Sequence, residues 1–139
     1  MAILGGAGNV VGGNPAGTGT SLNYIGEHAW GNSGAISINN TTVTALEFSM
    51  GTRYLVGQVQ LGGEIAFMTA DKVIGIKMTV NGETILNNQF LTVSGGSRTD
   101  IMDPVLVLLA PFDNVKIEIN TNDTNDREYT VIVTGRVYG

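Results

Sequence analysis

The stretch from Asp103 to Asn120, DPVLVLLAPFDNVKIEIN, constrains the fold more than any other part of the chain. It opens on five consecutive apolar residues, Val105-Leu106-Val107-Leu108-Leu109. A run this short, with no polar alternation, reads as a strand covered on both faces. Ala110 to Asn114 then interrupts it. Pro111 has no amide to donate to a ladder, and Asp113-Asn114 favours a turn. Beyond the break, Val115, Ile117 and Ile119 alternate with Lys116, Glu118 and Asn120, the pattern of a strand with one face buried and one in water. The two strands read as a central pair that every other strand must extend or cover.

The same period of two recurs along the chain. Ala35 to Ile38 reads as a short strand. In Val43 to Met50, the residues Leu46, Phe48 and Met50 share a face. In Tyr54 to Leu61, Leu55, Val59 and Leu61 take one face and Tyr54, Val56, Gln58 and Gln60 the other. Ile74, Ile76, Met78 and Val80 alternate with smaller or polar residues, and Tyr129, Val131, Val133 and Val137 do so in the stretch that ends at Tyr138. Asn81-Gly82 predicts a type I′ hairpin turn with Val80 opposite Glu83 and Met78 opposite Ile85. Gly31 to Gly34 reads as a turn, and Glu64 to Met68 as a strand or one helical turn. Leu91 to Val93 reads as a short strand within a long connection from Asn87 to Met102.

Eight or nine short strands at roughly ten-residue spacing, with no helix, predict an all-β, two-sheet antiparallel sandwich. The glycine-rich turns and the long connection favour jelly-roll topology over an immunoglobulin-like sandwich. A length of 139 residues is one domain's worth of chain, enough to bury a core without disulfides. Residues 21–139 are the sandwich domain, and residues 1–20 form a separate extended arm. Seven of the first 21 residues are glycine and none is charged, so this segment has no pattern from which to build a core. Ile3, Leu4, Val10, Val11 and Pro15 are its candidate partner-binding residues. The arm either packs on its own sandwich or ties the protein to neighbours, and the second reading is preferred.

Charge excludes some functions. A net charge of −5, with seven Lys and Arg spread singly, offers no basic patch for nucleic acid. No apolar run approaches the length of a membrane-spanning helix. The N-terminus lacks the basic start and continuous apolar core of a secretory signal. The absence of cysteine removes disulfide and thiol chemistry. GGAG and GTGTS lack the preceding strand, following helix and Lys-Ser/Thr pair of a phosphate loop. His28, the single histidine, sits beside Glu27, but neighbours on a strand point to opposite faces. No acid, base or nucleophile constellation emerges, which predicts a protein that is not an enzyme, with no cofactor and no metal. The oxygens of Asn122, Asp123, Asn125, Asp126 and Glu128 would suit Ca²⁺, but their spacing is not that of an EF-hand loop, and they read as a polar connection.

The final stretch, Arg127-Glu128-Tyr129-Thr130 through Thr134-Gly135-Arg136-Val137-Tyr138-Gly139, resembles the last strand of small virion proteins of tailed bacteriophages. Leu22-Asn23-Tyr24-Ile25-Gly26-Glu27-His28-Ala29, followed by Leu46-Glu47-Phe48, fits the same resemblance. It covers most of residues 20–139 and lies in pattern and layout. It implies a head decoration, or cement, protein: a jelly roll that forms a homotrimer on the outer capsid surface and bridges neighbouring major capsid subunits. The low charge, 14% against about 25% in ordinary domains, fits a surface that lies against other protein. The alternative is a fibre-tip or carbohydrate- or receptor-binding module at a virion surface, which would use Trp30 with Tyr24 or Tyr54.

Overall fold

The computed structural model describes residues 22–63, 72–91 and 103–139. The described residues contain no helix and ten strands: β1 (Asn23–Ile25), β2 (His28–Asn32), β3 (Ile36–Ile38), β4 (Thr42–Ser49), β5 (Tyr54–Gly63), β6 (Val73–Val80), β7 (Glu83–Leu91), β8 (Val105–Leu109), β9 (Asn114–Thr121) and β10 (Arg127–Tyr138). The arm with Ile3, Leu4, Val10, Val11 and Pro15, and the segment Glu64 to Met68, lie outside the described residues.

Two antiparallel sheets result. One has six strands in the order β1-β2-β10-β5-β8, with β3 pairing further along β10, and the other has four in the order β4-β9-β6-β7. β10 meets β2 over Ile132 to Arg136 and β3 over Arg127 to Tyr129. Gly31 to Gly34, expected to be a turn, is therefore the join between two pieces of one ribbon. Ser33 bridges it: its amide donates to the Val131 carbonyl at 3.0 Å, and its hydroxyl accepts from the Val131 amide at 2.9 Å. The hydroxyl thus stands in for a backbone carbonyl, which keeps a buried amide satisfied where the ladder breaks.

Alternation decides which side chains go inside. On β5, Leu55, Val59 and Leu61 are buried while Tyr54, Val56, Gln58 and Gln60 are exposed. Tyr129, Val131, Val133 and Val137 of β10, and Val115, Ile117 and Ile119 of β9, are buried in the same way. These inner faces form one apolar core between the sheets, completed by Leu46, Phe48, Ile74, Ile76, Met78 and Leu109. Each such side chain stabilises the fold by about 1.5–3 kcal/mol relative to exposure. Sheet contacts sheet closely at Gly31, where a Cβ would stand 3.1 Å from Leu22 Cδ2 and 3.8 Å from Leu46 Cδ1. A bulge between Thr44 and Leu46 breaks the alternation of β4 and turns both Ala45 and Leu46 inward.

Four expectations need correction. First, β8 is not covered on both faces: Leu106 is 81% exposed and Leu108 66%. Second, β8 and β9 do not pair, because the Ala110 to Asp113 turn carries the chain from one sheet to the other. Third, Val80 does face Glu83, but a bulge places Met78 opposite Leu86 and leaves Ile85 unpaired. Positive φ at Asn81 (53) and Gly82 (83) fits the type I′ turn. Fourth, Asn87 to Leu91 continue β7 and are not part of a connection.

Candidate interaction surface

A sandwich has two outer faces, and here their chemistry differs. The face of the four-stranded sheet carries charges in register. Glu47 of β4 lies opposite Lys116 of β9, and Lys77 of β6 lies opposite Glu118. Cross-strand pairs of opposite sign contribute roughly 0.2–1 kcal/mol each. Lys116 Nζ also approaches Glu118 Oε2 at 3.9 Å. Such a face is well served by water.

The outer face of the six-stranded sheet is built mostly from apolar and neutral residues, with Arg136 of β10 as a charge within it. β8 presents Leu106 and Leu108, β5 presents Tyr54 and Val56, and β10 presents Ile132 and Tyr138. Ile25, opposite His28 on the β1–β2 pair, extends the surface. With it, seven of the ten exposed large hydrophobic residues among those described lie on this one face. Contiguous apolar surface of this kind marks an interaction site more often than scattered exposure does.

A groove of about 600 Å³ crosses the same face, lined among others by His28, Trp30, Val56, Gln58, Leu106 and Arg136. Gly57 and Gly135, directly opposed on β5 and β10, also line it. At its rim the Arg136 guanidinium donates to Glu27 and stands 5.9 Å from the centre of the Tyr138 ring. Both ionic partners are about half exposed, so solvent screens the pair and its stabilising effect is small.

The expected aromatic platform forms only in part. Trp30 is half-buried on the groove wall and lies opposite Thr134. Tyr54 shares that outer face but lies opposite Tyr138, four residues further along β10, or roughly 13 Å at strand rise. Tyr24 shares a side with Ala29, not with Trp30. It lies beside Gly51, Thr52 and Arg53, where burial pushes its hydroxyl pKa up and the Arg53 charge partly offsets this.

The polar loop after β9 spends its oxygens internally. Asp123, 1% exposed, accepts from the Asn125 amide at 3.0 Å and from Arg127 Nε at 3.1 Å. Asn122 Oδ1 accepts from the Val73 amide at 2.8 Å, and Asp126 Oδ1 from Asn39 Nδ2 at 3.0 Å. Among the described residues no group of three or more His, Asp or Glu side chains is placed to hold a metal ion.

Sequence reasoning missed Leu106 and Leu108 as surface residues. Their signal was the unbroken run itself, which has a second meaning: a strand whose outer face is left exposed among the described residues. No protein-family model, no curated protein and no solved structure matches this chain.

Proposed function

We propose that this protein is a virion structural component that decorates the outer surface of a tailed-phage capsid and cements neighbouring major capsid subunits. The observation that carries the reading is the contrast between the two outer faces, one with charges in register across its strands, the other mostly apolar. A protein with one such face is built to lie against protein. The capsid setting comes from the resemblance of residues 127–139, 22–29 and 46–48 to small virion proteins. In this reading the partners are the major capsid protein and further copies of the chain, as a homotrimer.

We infer jelly-roll topology for the sandwich. What supports it is the strand order: β2 or β3, β10, β5, β8 in one sheet, and β4, β9, β6, β7 in the other. From β3 onward, every connection except β6 to β7 passes from one sheet to the other, as two interleaved Greek keys require.

The test uses shells assembled from the major capsid protein of the same virion. Purified protein added to them binds at regularly repeated positions seen by electron microscopy, and the shells then withstand heating or chelation that bursts bare ones. Shells that stay bare at micromolar protein sink the proposal. The groove beside Trp30, with Gln58, Thr134 and Arg136 as polar groups, favours a second reading as a carbohydrate-binding virion module. Glycan binding that Trp30→Ala removes, with no affinity for shells, selects that reading.

A further inference from the structure

We propose that the edge of β8 left open among the described residues, with the apolar face beside it, is where a second copy of this chain docks. The inference rests on the self-association in the reading above and not on the shell. It concerns contacts made in solution.

The first argument comes from the sheet edges. An exposed strand edge invites another strand, and proteins block the invitation with short strands, bulges or charge. Four of the five edges among the described residues are blocked in these ways; β3, which pairs with β10 alone, has three residues. β1 has three residues. β4 has a bulge at Thr44/Leu46. β7 starts on Glu83 and is bulged at Ile85. β8 has none of these devices. It runs in unbroken register with β5 from Val59↔Val105 to Leu55↔Leu109, has no charged residue, and pairs among the described residues with β5 alone. Half of its amides and carbonyls point away from β5.

The second argument is area. Leu106, Leu108, Val56, Tyr54, Tyr138 and Ile132 expose on the order of 100 Å² each, a patch at the upper end of what monomers carry. Roughly 800 Å² per partner makes a stable interface, and a strand edge with its rim supplies the remainder.

The third argument is charge. The chain has a net charge of −5, so identical copies repel at long range and associate where carboxylates are fewest. The outward residues of β5 and β8 include none, and Glu27 at the rim is neutralised by Arg136. The charges of the other face would lose their water in such a contact.

The experiment compares wild type with Leu106→Lys/Leu108→Lys by sedimentation at about 1 and 100 µM. The wild type sediments as an oligomer, and the double variant sediments as a monomer with an unchanged circular dichroism spectrum, its association weakened at least tenfold. A control, Glu47→Lys on the opposite face, leaves the oligomer intact. A wild type that is monomeric at 100 µM overturns the proposal, as does a double variant that keeps its mass. Should the double variant not fold, hydrogen exchange on wild type decides. β8 amides that slow with rising concentration support a second copy. Amides fast at every concentration, or slow at every concentration because the chain's own arm covers them, overturn it. Loss of shell binding with the oligomer intact would sink the capsid reading and leave this one standing.

Discussion

Gly57 and Gly135 lie directly opposite one another on β5 and β10, and neither site has room for a methyl group. A Cβ on Gly135 would come within 2.6 Å of both Gly57 Cα and the Val56 carbonyl oxygen, and one on Gly57 within 2.3 Å of the Thr134 carbonyl oxygen. The obstacles are backbone, so relief means moving a strand. Gly135→Ala is expected to cost about 1–3 kcal/mol, as overpacking does in well-packed cores. Thermal unfolding followed by circular dichroism reads this as a drop of several degrees. An unchanged midpoint would mean that the two strands separate freely.

Gly82 tests a different mechanism. Nothing stands within 4 Å of a Cβ built there, but φ is +83. Gly82→Ala therefore pays in backbone conformation alone, about 1–2 kcal/mol. Gly51 is equally open and lacks a positive φ, so Gly51→Ala is neutral or stabilises by about 0.4–1 kcal/mol through the unfolded chain. The two variants, compared by urea midpoint, separate turn strain from loss of space.

Asp123 makes stability depend on pH. Burial opposes ionisation of its carboxyl, but hydrogen bonds from the Asn125 amide and from Arg127, with the Arg127 charge, outweigh burial and hold its pKa below the ordinary value of 3.8. The unfolded chain therefore binds this proton more readily than the folded one. The contribution is fully present above the unfolded pKa and is lost as pH falls through the lower, folded value. Asp123→Asn should be less stable than wild type at pH 7 by about 1–3 kcal/mol. The gap should close as the pH drops below 4. A gap that widens on acidification would reverse the assignment.

The arm supplies a functional prediction. Deleting residues 2–18 is expected to leave a folded domain with little change in melting temperature that no longer binds shells. Ile3, Leu4, Val10 and Val11 would each contribute about 1.5–3 kcal/mol if buried against a neighbour, and many copies on one shell add avidity. A truncated protein that still occupies shells at wild-type level removes the arm as a tether.

The residues that could be read from sequence are those whose environment this chain itself provides. Leu55, Val59 and Leu61 alternate with polar or exposed neighbours, and they are buried as the pattern requires. Asn81-Gly82 carries its turn type in its own backbone preferences. Pairing across the sandwich was not legible. The Ala110 to Asp113 break looks the same whether the next strand returns beside β8 or crosses to the other sheet. Bulges at Ala45 and Ile85 were invisible because each adds one residue without altering composition. Leu106 and Leu108 misled for a deeper reason: a strand that faces its own core on one side and exposes leucines on the other has the same apolar run as one covered twice by its own chain.

The inner positions of β9 and β10 have a consequence for synthesis. β9 joins β4 to β6, and β10 joins β2 and β3 to β5, so both sheets are completed by strands drawn from residues 114–138. The bond between Val131 and Ser33 spans 98 positions. A nascent chain that has emerged only as far as β8 can form local hairpins, but β2, β3, β4 and β5 still show apolar faces and open edges. Such a chain folds late and all at once, at the slow end of the range set by long-range pairing. Throughout translation, its chief hazard is another ribosome's copy of the same unfinished sheets.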